Sequence, residues 1–148
     1  MSRAAVRCAA MAATVVVALA TSCSSSEYTP LEVGQCLPVD AGVEGRRVDA
    51  PPVVDCAEPH RYEVYARQDL EPPDDTWPGE ELLDANARRL CGLAIRQATG
   101  EPIEALPEGV TMVYIAPTED SWRDGDREVE CLFRHDEVTT ATLRRGDA

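Results

Sequence analysis

The chain contains no lysine: its 14 basic residues are all arginine and stand against 27 acidic ones, a net charge of −13 over 148 residues. Every acidic residue lies after Cys23, where 12 arginines oppose them and the balance reaches −15. A surface that acidic repels phosphate backbones and anionic headgroups, which excludes nucleic acid as a partner and excludes a polybasic membrane patch. The sequence also lacks an apolar run of the roughly 20 residues that a membrane-spanning helix needs. No two cysteines have the spacing, about two to four residues between ligands, of a structural zinc motif. There is no internal repeat, and no glycine-flanked nucleophile elbow surrounds Ser121.

What the N-terminus does contain is an address. Residues 1–7, MSRAAVR, are short and positive; residues 8–20, CAAMAATVVVALA, are apolar; small residues then lead to Cys23. This three-part layout predicts an export signal over 1–22. Leu19-Ala20-Thr21-Ser22-Cys23 resembles the bacterial lipobox, although Ala20 stands where leucine is commoner. That resemblance implies a diacylglycerol on Cys23, acylation such as palmitate, and a location on the outer face of the plasma membrane. The alternative is ordinary cleavage near Ser22, with Cys23 a thiol. Several acyl chains give firm anchoring where one gives marginal binding. Residues 23–30 then read as the lipidated cysteine and a flexible tether.

With Cys8 in the signal and Cys23 used for lipid, an even set remains in the exported domain: Cys36, Cys56, Cys91 and Cys131. Outside the cytoplasm this predicts two disulfides, and four cysteines allow three connectivities. No metal site and no cofactor are expected.

Residues 31–145 have room for one small domain. Leu31–Leu37 and Val48–Cys56 read as extended edge segments broken by glycine and proline. In 62–66, Tyr62, Val64 and Ala66 alternate with Glu63, Tyr65 and Arg67, a strand with one wetter face. A helix is predicted over about 79–98, capped by Asp75 or Thr76, with Pro78 early, Glu80 and Glu81 at the positive end, and Gly100 as the stop. Its stripe is Leu83, Ala87, Leu90, Cys91, Ala94, Ile95 and Ala98. VTMVYIA at 110–116 suits a central strand. Thr118–Asp126 reads as one helical turn and a tight turn. Val129, Cys131 and Phe133 share a strand face that can meet the helix face carrying Cys91, and Val138–Leu143 is a last strand. The sum is an α+β domain, a small antiparallel sheet with one main helix packed on it.

The set Val33-Gly34-Gln35-Cys36-Leu37, Cys56-Ala57-Glu58-Pro59-His60-Arg61-Tyr62-Glu63, Pro78-Gly79-Glu80, Cys91, Trp122-Arg123-Asp124-Gly125-Asp126-Arg127 and Cys131 resembles the septum-formation domain of actinobacterial envelope proteins. The match spans about 31–134. It implies an exported or membrane-tethered domain tied to cell division and envelope growth, and brings no catalytic mechanism. Loop locality together with this resemblance favours Cys36 with Cys56 and Cys91 with Cys131.

His60 and Glu63 are three residues apart, and such a pair can work as acid and base. If the chain there is extended, they point to opposite faces, and His60 is better used hydrogen-bonding backbone where the chain enters the strand. Trp122 and Arg127 read first as a packed indole and an ion-paired turn, and second as a ligand or partner contact. Asp120, Asp124 and Asp126 lack the EF-hand order. The expectation is therefore a non-enzymatic, lipid-anchored binding or scaffold domain in envelope or septum assembly, its partners the plasma membrane through lipid and envelope or division proteins. Two alternatives are a carrier lipoprotein whose apolar pocket uses Val110–Ala116 and, behind it, an envelope hydrolase.

Overall fold

Helical and extended periodicities alternate along the domain, and each settles into its own layer. The computed structural model describes residues 29–43, 45–46, 50–72 and 74–146; the expected export signal, the expected lipid site Cys23 and residues 24–28 of the expected tether lie outside them. In chain order the elements are strands β1 (Cys36–Leu37), β2 (Gly45–Arg46) and β3 (His60–Asp69), helix α1 (Glu80–Thr99), a tight turn at Ile103–Ala105, strand β4 (Val110–Ala116), helix α2 (Glu119–Arg123) and strand β5 (Glu128–Thr139). The sheet order is β1-β3-β5-β4-β2. β1, β3, β5 and β4 run antiparallel to their neighbours, and the two-residue β2 adds a parallel edge beside β4. With α1 packed on β3, β4 and β5, this is the α+β architecture expected from the sequence.

The helix forms where its stripe predicts. Leu83, Ala87, Cys91, Ala94, Ile95 and Ala98 are buried, and Leu90 flanks them half-buried. Glu80 and Glu81 sit in the first turn, favourable at the positive end of the helix dipole. Gly100 ends the helix at φ 80°, a left-handed conformation natural to glycine, and its N–H donates to the Arg96 carbonyl at 2.8 Å. The N-terminus differs from expectation: the cap is Gly79, with no side-chain cap bond. Thr76 is instead held in a local turn, its N–H donating to Asp74 Oδ1 at 2.8 Å, so neither it nor Asp75 reaches the helix start.

The sheet corrects three sequence readings. The central strand is β5, not Val110–Ala116; of β4 only Ile115 and Ala116 are fully buried, because its outer neighbour is a two-residue strand. A separate strand at Val138–Leu143 does not form: β5 continues unbroken to Thr139, whose Oγ1 then accepts the Ala141 N–H in a turn. Finally, β3 has no wetter face over Glu63 and Tyr65, which are 1% and 3% exposed. Register shifts between His60 and Tyr62 and between Val64 and Ala66 break its alternation. Tyr65 and Ala66 thereby both join the helix-side core with Leu83, Cys91, Phe133 and Trp122. The opposite face carries a second core in which Leu31, Ala41 and Val43, from the N-terminal loops, cover Tyr62, Val64, Ile115 and Leu132. Both faces are therefore closed, one by a helix and the other by loops.

Two disulfides tie these layers. Cys91–Cys131 joins α1 to β5 with the Cα atoms 5.4 Å apart, and Cys36–Cys56 joins β1 to the loop before β3 with the Cα atoms 5.2 Å apart. Beside the first, the Tyr65 hydroxyl donates to the Cys91 carbonyl at 2.9 Å and its ring stacks on Phe133 at 4.2 Å. Burial pushes the Tyr65 phenol far above its ordinary range, so it stays a donor. Chain-entropy reasoning assigns each closure about 3 to 4 kcal/mol. Replacing Cys91 and Cys131 together by alanine should lower unfolding free energy by about that amount, read as a drop in the urea midpoint. A variant as stable as the wild type would contradict that assignment.

Candidate functional site

The turn between α2 and β5 is built by local hydrogen bonds. Thr118 caps α2: its Oγ1 accepts the Ser121 N–H at 3.1 Å while Ser121 Oγ accepts the Thr118 N–H at 2.9 Å. Gly125, at φ 94°, reverses the chain, and the Asp126 N–H donates back to the Ser121 carbonyl at 2.9 Å. This geometry drives Trp122 inward to 2% exposure. Its Nε1–H donates to the Asp75 carbonyl at 3.0 Å, and Trp77 packs edge-on against it at 5.5 Å. The Arg127 guanidinium lies 3.8 Å above the Trp122 ring, a cation–π contact. Arg127 Nη1 donates to the carbonyls of Trp122 at 2.7 Å and Asp126 at 2.8 Å, and Nη2 is 3.6 Å from the Asp75 carboxylate.

The loop before α1 and the turn after α2 thus become two walls of an open cleft of about 460 Å³. Asp75, Trp77, Glu119, Arg123 and Arg127 line it, with Trp122 at its base. Arg123 is paired across its own helical turn to Glu119 at 3.0 Å and to Asp120. A smaller cleft of about 230 Å³ lies on the other side of Trp122, walled mainly by Leu70, Leu82, Leu83 and Leu90. Of the residues read from the sequence, Trp122 and Arg127 come together here, with the packed indole expected of them. Trp77 and Glu119 were missed, and Asp75 was read as a helix cap. Trp77 carried one usable signal: it is one of just two tryptophans in the chain.

His60 and Glu63 do not act as a pair. The register shift between His60 and Tyr62 removes the alternation on which the opposite-face expectation rested. Both are buried, each on its own partners. His60 Nδ1 is 2.9 Å from the Glu58 carbonyl, the backbone contact expected at the strand entry, and its ring meets His135 edge-on at 6.2 Å. The Glu63 carboxyl accepts two backbone N–H groups of the C-terminal segment, Leu143 at 2.7 Å and Arg144 at 3.2 Å. The next amide, Arg145, donates to the Ala98 carbonyl at 2.9 Å. Glu63 is therefore a clamp that straps the chain's end across the edge of β3 and α1. A long-range partner at this separation left no local signal in the sequence.

On the outer surface of the sheet edge, Arg67 holds Glu128 with two donors at 2.9 and 2.8 Å and Glu32 with a third at 2.9 Å. The bonds to Glu128, and then its charge and that of Glu32, raise the Arg67 pKa despite the opposing effect of burial. Asp126 Oδ1 accepts the Glu128 N–H at 3.2 Å, and Asp120 serves Arg123, so these two carboxylates have structural uses. Among the described residues, no group of three or more histidine, cysteine, aspartate or glutamate side chains is placed to hold a metal ion. All four cysteines of the domain are consumed by the disulfides.

A family model described as "Septum formation" matches residues 4–132, most of the chain. No curated protein and no solved structure matches it. His60, Glu63, Trp122 and Arg127 all fall inside the matched span.

Two outcomes are expected from these contacts. Glu63→Ala removes a buried double acceptor and should destabilise by about 1 to 3 kcal/mol. Ending the chain at Thr142 should cost less in that background than in the wild type, as a double-mutant cycle by urea unfolding would read; full additivity would remove the clamp. His135 has a pKa below its ordinary 6.5 because burial, and then the nearby His60, disfavour its charged form. The unfolded chain therefore binds more protons as pH falls below about 6.5, and stability declines there. His135→Gln should flatten the fall in melting temperature between about pH 7.5 and about pH 5.5; an unchanged slope would assign the effect elsewhere.

Proposed function

The chain belongs to the septum-formation family, and from that membership we propose that it is a non-enzymatic, lipid-anchored binding domain on the outer face of the plasma membrane. The family description ties it to septum formation, a process of cell division and envelope growth. The finer reading rests on two supports. The lipobox-like stretch Leu19–Cys23 motivates the anchor. Two disulfides suit an oxidising compartment.

The observation that carries the non-enzymatic part is the use made of His60 and Glu63. An acid–base pair needs groups within hydrogen-bond reach of one reacting atom. Here the imidazole contacts the Glu58 carbonyl and the carboxyl holds the Leu143 and Arg144 amides. Ser121, a side chain of nucleophile type, is engaged in the cap of α2. The carrier reading loses its motivation, because the inward residues Ile115 and Ala116 of β4 pack in the two cores. The tryptophan-based cleft is exposed and chemically mixed, and it is the surface we assign to a partner.

Mass analysis of the mature N-terminus should show an acylated Cys23, and a fluorescent fusion should concentrate at septa, with septal defects in a deletion strain. An unmodified Ser24 start would overturn the anchor. Even labelling of the cell outline with normal septa would overturn the division role. In-cell crosslinking from Arg123, followed by mass spectrometry, should recover an envelope or division protein.

A further inference from the structure

The walls of the cleft at Trp77 and Trp122 carry both signs of charge in equal number. Asp75 and Glu119 offer acceptors, Arg123 and Arg127 offer donors, and these four lie within one opening of about 460 Å³. The local balance is neutral in a chain whose overall charge is −13. An anionic ligand would meet two carboxylates there, and a cationic one two guanidinium groups. A neutral ligand dense in hydroxyls meets neither penalty, since each hydroxyl can donate to a carboxylate and accept from a guanidinium.

The apolar component has matching geometry. Trp77 is half-buried, its ring at 76° to that of Trp122, and it lines the opening. Arg127 is held 3.8 Å over Trp122 by two backbone carbonyls and the ring itself, so its planar fork is fixed before a ligand arrives. Arg123 is likewise prearranged by Glu119 and Asp120. At the reversal, a Cβ built on Gly125 would meet nothing within 4 Å, so the approach beside the turn is open. Indole with paired planar donors and acceptors is a surface for the apolar C–H face and rim hydroxyls of a sugar ring. The volume falls within the range of about 300–1,000 Å³ usual for small-ligand sites.

We propose that this cleft binds a neutral glycan segment, with Trp77 as the stacking surface and Asp75, Glu119, Arg123 and Arg127 as the hydroxyl-reading groups. The proposal rests on the binding-domain reading above and names its ligand class.

Both tryptophans of the chain line this cleft, so their emission, excited selectively, reports on it, and the Trp77 variant separates it from the smaller cleft that Trp122 also borders. The full chain, purified in detergent with disulfides intact, is titrated with chitotetraose and with cellotetraose, and in parallel with acetate and inorganic phosphate. The expected result is a saturable change in tryptophan emission with at least one tetrasaccharide, insensitive to salt, and none with the two anions. By calorimetry, Trp77→Ala should weaken that binding about tenfold or more at a temperature where the variant is folded, its melting temperature lowered by the loss of packing on Trp122. If Trp77→Ala does not fold, Arg123→Ala, at a side chain 63% exposed, takes its place with the same expectation. Silence with both tetrasaccharides, a response to the anions alone, or glycan binding that survives Trp77→Ala and Arg123→Ala would each overturn the proposal. Failure here leaves septal localisation and the deletion phenotype to stand on their own. Glycan binding with normal septa would instead keep the ligand and remove the division role.

Discussion

The link between the middle of α1 and the central strand is the constraint around which the rest is arranged. Cys91–Cys131 fixes which stripe of the helix faces the sheet and at what height. Tyr65 adds a second tie at the same level, donating to the Cys91 carbonyl while stacking on Phe133. The helix-facing core is small-residue rich along α1, with Ala87, Ala94 and Ala98 allowing close approach. Such a core buries limited apolar area per residue, and a covalent crosslink compensates by restricting the unfolded chain. With α1 so placed, the loop that precedes it and the turn that follows α2 meet at Trp122.

The second face solves a different problem. A sheet covered by helix on one side would leave Tyr62, Val64, Ile115 and Leu132 in water, and the N-terminal loops cover them through Leu31, Ala41 and Val43. Loops have no ladder of their own to hold them there. Cys36–Cys56 and the antiparallel register of Cys36 and Leu37 with Glu63 and Tyr62 supply the attachment. Glu63 performs the equivalent task for the C-terminal segment, so one residue of β3 has the entering chain at its backbone and the leaving chain at its side chain. That double use explains why a buried acidic residue is tolerated here: its acceptors are filled by amides that themselves need partners.

Local signals in the sequence carried a long way wherever the interaction was local. The α1 stripe, the Gly100 stop and the Thr118 to Asp126 turn depend on spacings of three or four residues, and each formed as read. The failures share a cause: they depended on neighbours far away in the chain. Val110–Ala116 is as apolar as a central strand, yet its place beside a two-residue edge strand was set by topology. Tyr65 and Glu63 looked like a solvent face because nothing local shows that α1 and the C-terminal segment cover that side of β3 as well. The candidate site was half legible: Trp122 and Arg127 stood in a recognisable motif, whereas Asp75 and Trp77 belong to a different loop and gain meaning from being carried across to them.

By itself, then, the sequence determined the helix and its buried stripe, the α+β class, the even set of four cysteines in the domain and the acidic character of the chain. These follow from composition and from periodicities that act over one or two turns of chain. Tertiary structure alone decided that β5 is central, that both sheet faces are closed, that Glu63 clamps the C-terminal segment, and that two tryptophans and two acid–arginine pairs share a cleft. Those outcomes require residues tens of positions apart to meet, and a chain read in order contains no distance between them until the crosslinked core sets it.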